Sequence, residues 1–229
     1  MNNELTSIVV IQDKSGSMAP RAADVIGGFN AFVARQREAP GRAELTLVQF
    51  NGVVDFVYDG LPVEQVAPLD EASYQPGGST ALFEAIGQAV VRTKARIAAL
   101  AEEERPARVV LVVMTDDQNT DRTEFTPTIV HGMLEEQQKL GWEVIYIGAA
   151  LDKSRGEEMM RTAASLGVQA ASCAVVDNCS EGIGASYNGA AEAVIRYRSG
   201  GTAALDLGGS VPHVGEIHVK VGAGVKESK

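Results

Sequence analysis

Residues 7–12 read SIVVIQ, and DKSGSM follows immediately at residues 13–18. The first stretch is apolar, rich in β-branched residues and too short for a helix, which is typical of a strand buried on both faces. The second stretch is small and polar, so it ends the strand and places Asp13, Ser15 and Ser17 just beyond it. A strand buried on both faces needs helices on both sides of its sheet, which predicts an α/β protein.

The rest of the chain alternates strand-like and helix-like stretches in the order β-α-β-β-α-β-α-β-α-β-α. Asn51-Gly52, between LTLVQF and VVDFVY, indicates a β-hairpin that adds one antiparallel edge strand. We therefore expect an α/β fold of three layers, α-β-α, with a doubly wound, mainly parallel, Rossmann-like sheet. The predicted strands are residues 7–12, 45–50, 53–58, 109–114, 144–147 and, more weakly, 168–176, and the predicted helices begin near Pro20, Thr80, Thr126, Asp152 and Ser180.

The composition separates one domain from a short tail. The chain has 229 residues, of which 45% are hydrophobic and 22% charged, as in ordinary globular proteins. Glycine pairs become frequent after Ser199, so we predict one domain over residues 1–199. Residues 200–229 are predicted to be a Gly-rich C-terminal tail or an added strand, because EIHVKV at residues 216–221 alternates like a strand.

The charge limits the classes of partner. The net charge is −10 and the basic residues are scattered, so a nucleic-acid partner is disfavoured. No stretch approaches the about 20 apolar residues that span a bilayer, which argues against a membrane partner. The first residues lack a basic leader, and we expect a cytoplasmic chain. An acidic chain is well suited to cations, and its oligomeric state is left open by the sequence.

Three polar loops are predicted to meet at one edge of the sheet. Residues 13–17 and Asp116 each follow a buried strand, and Gly77-Gly78-Ser79-Thr80 opens a helix. The carboxyl ends of parallel strands share one edge, where ligands of this architecture collect. Carboxylate and hydroxyl oxygens are hard ligands that suit Mg²⁺ or Mn²⁺. Two carboxylates roughly cancel the charge of the ion, and hydroxyls add none, so the ion can accept one more anionic oxygen from outside.

The motifs resemble those of a known family. Asp13-Lys14-Ser15-Gly16-Ser17 is similar to the Asp-x-Ser-x-Ser signature of von Willebrand factor A (vWA) domains. Gly78-Ser79-Thr80-Ala81-Leu82 resembles the threonine loop of that family, and Met114-Thr115-Asp116 resembles its aspartate loop. The order of strands and helices is similar over roughly residues 5–198. The resemblance implies a prokaryotic, intracellular vWA protein with a metal-ion-dependent adhesion site (MIDAS).

The resemblance also implies a role for each site residue. Ser15 and Ser17 would bind the ion through their hydroxyls, while Asp13 and Asp116 would hold it partly through ordered water. Thr80 would bind directly or through water. The sixth position would be open to water or to an Asp or Glu carboxylate from a protein partner. The implied function is metal-dependent protein binding rather than catalysis.

Several alternatives stay open at this point. Asp13, Ser15 and Ser17 are also preferred types for a turn and a helix N-cap. A second interpretation is that the chain is a structural or assembly subunit, in which the metal merely locks the loops. A haloacid-dehalogenase-like phosphotransferase is disfavoured because such enzymes usually carry Asp where this chain has Ser15. Asp117 departs from the family pattern, in which Gly often follows the aspartate, and with Asp121 it would add negative charge near the ion.

Overall fold

A computed structural model describes residues 1–116 and 124–207 of the chain. In this part of the chain, six strands form one sheet in the order β3-β2-β1-β4-β5-β6, and five α-helices flank it. The strands are β1 (Asn2–Asp13), β2 (Arg42–Phe50), β3 (Val54–Pro62), β4 (Pro106–Thr115), β5 (Glu143–Ala150) and β6 (Cys173–Asp177). The helices are α1 (Ala22–Glu38), α2 (Leu82–Ala99), α3 (Pro127–Lys139), α4 (Lys153–Ser165) and α5 (Ser180–Arg198).

The sheet confirms the predicted fold class. The pairs β1–β2, β1–β4, β4–β5 and β5–β6 are parallel, and β2–β3 is the antiparallel pair at one edge. The chain first builds outward from β1 through β2 and β3, then returns to build through β4 on the other side. The direction of winding therefore changes between β1 and β4, and the carboxyl ends of these strands flank the position where such sheets bind ligands.

Side chains of the sheet alternate between two hydrophobic cores, one on each face. The core under α1 and α5 includes Ile8, Val10, Phe29 and Tyr187. The core under α2, α3 and α4 includes Val9, Ile11, Ile86, Leu134 and Met159. The continuous apolar run of β1 supplies both cores at once, which is why the sequence shows no polar alternation there.

Local structure differs from the prediction at several element ends. Pro20 lies in a short 3₁₀ turn, Gly16–Arg21, that precedes α1, so it is not in the first turn of the α-helix itself. The last strand is only Cys173–Asp177, because a 3₁₀ turn at Ala170–Ser172 replaces the predicted first part. In the described part of the chain, no helix is long and apolar enough to cross a membrane.

The β2–β3 hairpin is confirmed, but its turn differs from the type that Asn-Gly usually forms. Phe50 pairs with Val54, so the loop contains three residues, and Val53 is exposed in it instead of opening the strand. Neither Asn51 nor Gly52 has a positive φ angle. A left-handed backbone is therefore not the reason for Asn at this position.

The beginning of the tail packs against the domain. Ala203 is fully buried, and Leu205 and Leu207 pack on the core under α1 and α5. The main-chain N–H of Leu205 donates to the carbonyl of Ala171, beside the start of β6. The strand predicted at residues 216–221 lies outside the described residues, and the domain boundary near residue 199 stays a prediction.

Candidate metal centre

The centre is built around the end of β1. Asp13 is the last residue of this strand, and its side chain is fully buried. The main-chain N–H of Ser15 donates to Asp13 Oδ1 at 2.7 Å, and the Thr115 hydroxyl donates to Asp13 Oδ2 at 2.6 Å. Tyr74 donates its hydroxyl to the main-chain carbonyl of Asp13 at 2.7 Å. The carboxylate is thus held rigidly between the site loop and the end of β4.

A chain of hydroxyl contacts links this carboxylate to the second one. Ser15 Oγ lies 3.0 Å from Ser17 Oγ, and Ser17 Oγ donates to Asp116 Oδ1 at 2.8 Å. Asn178, just after β6, donates its amide to Asp116 Oδ2 at 3.2 Å. Four of the five predicted residues are therefore joined in one network at the carboxyl edge of the sheet. Parallel pairing of β1 with β4 produces this proximity, because it brings the two strand ends side by side.

Thr80 reaches the same edge on a separate loop. Gly77 N–H donates to the carbonyl of Lys14 at 2.8 Å, and Gly16 N–H donates to the carbonyl of Gly78 at 3.1 Å. The threonine loop is thereby fastened to the site loop through the main chain, and the Thr80 side chain is buried. Gly78 has φ +82°, a conformation that favours glycine, which accounts for a glycine at this turn.

The electrostatics of the centre favour a positively charged ligand. Burial raises the pKa of Asp13 to about 6, while hydrogen bonds from Thr115 and Ser15 oppose the shift and the charge of Asp116 adds to it. Within residues 1–116 and 124–207, the hydrogen bonds that Asp13 accepts come from neutral donors. An ionised Asp13 is therefore costly until a cation compensates its charge.

The donor set is that of a hard cation. Two carboxylates and three hydroxyls can supply oxygen ligands to Mg²⁺ or Mn²⁺, and two negative charges balance one divalent ion. The described residues contain no cluster of three His, Cys, Asp or Glu side chains that could hold a metal. Among the described residues, Ser15, Ser17 and Thr80 offer hydroxyls at this edge, and their assignment as ligands stays a prediction.

Sequence reasoning missed the residues that hold the centre in place. Thr115, next to Asp116, was not assigned a contact with Asp13, although its position directly before the aspartate was a usable signal. Tyr74 and Asn178 come from distant loops, and nothing in their local sequence indicates these contacts. Asp117 and Asp121 lie outside the described residues, so the expectations about them stay predictions.

The family assignment follows from the sequence match. Residues 7–177 match the von Willebrand factor type A domain. Since this match covers most of the chain, the chain belongs to the von Willebrand factor type A domain family. Domains of this family are usually non-catalytic binding modules. No curated protein sequence matches the chain significantly.

Solved structures with the same fold come from diverse organisms. Proximal thread matrix protein 1 from the mussel byssus, with a zinc-occupied MIDAS motif, is 15% identical with a TM-score of 0.54, over 83% of this chain and 46% of its own. The open conformation of the pilus adhesin SpaC from Lactobacillus rhamnosus GG is 15% identical with a TM-score of 0.61, over 84% and 30%. The ArnB paralog VWA2 from Sulfolobus acidocaldarius is 17% identical with a TM-score of 0.51, over 82% and 45%. This chain spans less than half the length of each protein.

Proposed function

We propose that this chain is a divalent-metal-dependent protein-binding module. Asp13, Ser15, Ser17, Thr80 and Asp116 hold Mg²⁺ or Mn²⁺, and an Asp or Glu side chain of a protein partner completes the coordination. The proposal assigns the chain no catalytic step. The proposal rests on two observations. Two carboxylates and hydroxyl groups lie together at one edge of the sheet, and the chain belongs to the von Willebrand factor type A domain family.

The observation that carries the proposal is the buried Asp13. Its carboxylate accepts hydrogen bonds from Ser15 and Thr115, which are neutral, and it lies beside a second carboxylate that raises its pKa further. A divalent cation would neutralise both carboxylates and leave hydroxyl ligands that add no charge. Such an ion retains the capacity to attract an external carboxylate, which a site with three or four acidic ligands would lose.

The structural relatives support the metal and the binding role. The mussel protein has zinc in its MIDAS, and the Lactobacillus protein is a pilus adhesin. Neither shows which ion this chain takes, and we favour Mg²⁺ or Mn²⁺ from the hard oxygen donors. The family match gives no support to the phosphotransferase alternative. The intracellular, cytoplasmic location stays a prediction, as does the identity of the partner.

The proposal is tested by metal-dependent capture of acidic peptides. We expect the immobilised chain to retain peptides with a central Asp or Glu in Mg²⁺ or Mn²⁺, and to release them in EDTA. The matched peptides with Asn or Gln should not bind, because they lack the anionic oxygen. If amide peptides bind equally well, or capture survives EDTA, the adhesion mechanism is wrong and the loop-locking alternative gains support.

Two serine variants show whether the effect originates at this centre. Ser17→Ala removes a hydroxyl that donates to Asp116, whereas Ser165→Ala removes a hydroxyl that donates to the carbonyl of Thr162 at 2.8 Å in the last turn of α4. When the free metal concentration is about a hundred times the dissociation constant, the bound ion should stabilise the folded state by about 2.7 kcal/mol. We expect Ser17→Ala to lose most of this metal-induced rise in melting temperature and Ser165→Ala to keep it.

A further inference from the structure

Asn51 has polar contacts beyond those that its hairpin needs. Within the hairpin, Asn51 N–H donates to the carbonyl of Val53 at 3.0 Å, and Asn51 Oδ1 accepts from Val53 N–H at 2.9 Å. These two bonds close the three-residue loop between β2 and β3. Neither of these bonds uses the amide nitrogen Nδ2 of Asn51. The backbone of Asn51 is not left-handed either, so turn geometry does not explain why this side chain carries an amide.

The remaining groups of Asn51 bind the threonine loop. Asn51 Nδ2 donates to the carbonyl of Gly77 at 2.7 Å. The main-chain carbonyl of Asn51 accepts from Ala81 N–H at 2.8 Å. Gly77 precedes Thr80 and Ala81 follows it directly, so a single residue of the hairpin holds the chain on both sides of Thr80. A Cβ on Gly78, between these points, would lie 3.5 Å from Asn51 Nδ2.

We infer that Asn51 is a positioning residue for Thr80 in the metal centre. This inference rests on the proposed function, since it assigns a role in holding a ligand of the proposed ion. The main chain of the site loop fixes the threonine loop on one side, through Lys14 and Gly16. Asn51 fixes it on the other, and this contact uses a side chain that a substitution can remove.

The chemistry of metal ligands explains why such a contact matters. Residues that orient ligands from the outer shell typically contribute about 10- to 100-fold to metal affinity. Thr80 is neutral and therefore lacks the charge attraction that helps Asp13 and Asp116 find the ion. The loop that carries Thr80 helps to place its hydroxyl, so loss of the loop contact should reduce metal affinity.

The chain offers a matched control in Asn30. Asn30 Nδ2 donates to the carbonyl of Leu69 at 2.9 Å, and its Oδ1 accepts from Leu69 N–H at 2.8 Å. This asparagine fastens a loop with the same two kinds of bond as Asn51, but it does not contact the threonine loop. Asn51→Ala and Asn30→Ala therefore remove equivalent interactions, and neither adds a charge that would itself attract a cation.

The experiment measures the affinity of Mn²⁺ alone for the full chain by electron paramagnetic resonance of the free ion. We expect Asn51→Ala to weaken Mn²⁺ binding by about tenfold, as for other outer-shell residues, and Asn30→Ala to leave it unchanged. The melting temperature in EDTA should fall equally in both variants. In a Thr80→Val background, Asn51→Ala should change the affinity by less than about twofold, because the residue that it positions is already lost.

The outcomes distinguish this inference from the proposed function. If the wild-type chain does not bind Mn²⁺, the proposed metal centre fails and the role of Asn51 fails with it. If the wild type binds Mn²⁺ and Asn51→Ala binds equally tightly, the positioning role is wrong while the metal centre stands. If Asn51→Ala still weakens Mn²⁺ binding by about tenfold in the Thr80→Val background, the inference is also overturned, because Asn51 would then act independently of Thr80.

Discussion

Two pairs of carboxylates on this sheet are compensated in opposite ways. At the carboxyl edge, Asp13 accepts only from neutral donors among the described residues, and Asp116 accepts from Ser17 and Asn178. On the α2 face, an arginine network holds the other pair. Arg96 contacts Glu44 at 2.6 Å and Asp59 at 3.3 Å, Arg92 contacts Asp59 at 2.6 Å, and Arg96 Nη2 donates to Ser7 Oγ at 2.9 Å.

The difference shows what makes a carboxylate pair available for a metal. In the arginine network, two guanidinium groups lie within ion-pair distance of the two acids and offset their charges, and Arg92 Nε donates a hydrogen bond to Asp59 Oδ2. In the metal centre, hydroxyl and amide donors orient the oxygens of Asp13 without cancelling its charge. We infer that the nearby guanidinium groups, rather than the acids themselves, separate a structural carboxylate pair from one that could accept a metal.

The largest effect is expected from removing the cation of the arginine network. Arg96→Met leaves Glu44 and Asp59 partly buried beside each other, and breaking such a pair should cost about 3 kcal/mol of unfolding free energy. Urea denaturation should give the same loss in Mg²⁺ and in EDTA, because Arg92 still pairs with Asp59 and leaves Glu44 as a single uncompensated acid. Arg161→Met, which removes an exposed contact with Glu157, should cost less than about 0.5 kcal/mol.

A restored wild-type stability of Arg96→Met in Mg²⁺ would contradict this prediction but sharpen the comparison. It would mean that the ion can replace the guanidinium, so that the two acids of the network form a metal site once their cation is removed. An equal loss in Arg96→Met and Arg161→Met would instead show that the network contributes no more than an exposed surface pair.

An intermediate effect is expected when one acid of each pair is made neutral. In EDTA at pH 8, Glu44→Gln should destabilise the chain by about 1–2 kcal/mol, because it deprives the part-buried Arg96 guanidinium of one of its two acidic partners. Asp13→Asn should be neutral or stabilising under the same conditions, because burial raises the pKa of Asp13 and the ionised form is costly. Calorimetry in EDTA and in Mg²⁺ measures both.

Metal should reverse the order of stability of the Asp13→Asn and Glu44→Gln variants. In Mg²⁺, wild type and Glu44→Gln should gain stability, and Asp13→Asn should gain none because it lacks a ligand. If Asp13→Asn is strongly destabilised in EDTA, its hydrogen bonds with Ser15 and Thr115 outweigh the cost of burying its charge. The distinction between the two pairs would then be lost.

The proximity of the candidate site residues was easier to predict from the sequence than the arginine network, for a physical reason. The residues of the centre come directly after buried strands or directly before α2, so strand order alone brings them to one edge. Glu44, Asp59 and Arg96 lie inside their elements, on faces that depend on strand register and on how α2 packs. No local motif marks those contacts.

The same reasoning explains the smaller differences in the fold. Continuous apolar runs identified β1 and β4, because both faces of these strands are buried. The edge strand β6 is short, and its predicted first residues form a 3₁₀ turn, because apolar composition alone does not distinguish a strand from a packed turn. Asn178 and Tyr74 contact the centre through tertiary packing, which no spacing in the sequence encodes.

The smallest effects should come from two glycines with left-handed backbones, one in each region. Gly60 has φ +67° beside Arg96, and Gly78 has φ +82° in the threonine loop. Alanine at either position should cost at least about 1 kcal/mol of unfolding free energy, since a side chain disfavours this backbone conformation. At Gly60 the new Cβ would also lie 2.5 Å from Arg96 Nη1, so the arginine must shift as well.

Only one of these two variants should affect the metal. Gly78→Ala should weaken Mn²⁺ binding, because relaxation of the loop moves Thr80, whereas Gly60→Ala should bind Mn²⁺ as tightly as wild type. Urea denaturation in EDTA and Mn²⁺ titration separate the two quantities for each variant. Weaker binding by Gly60→Ala would show that strain in the arginine network reaches the carboxyl edge, and the two regions could no longer be treated as independent.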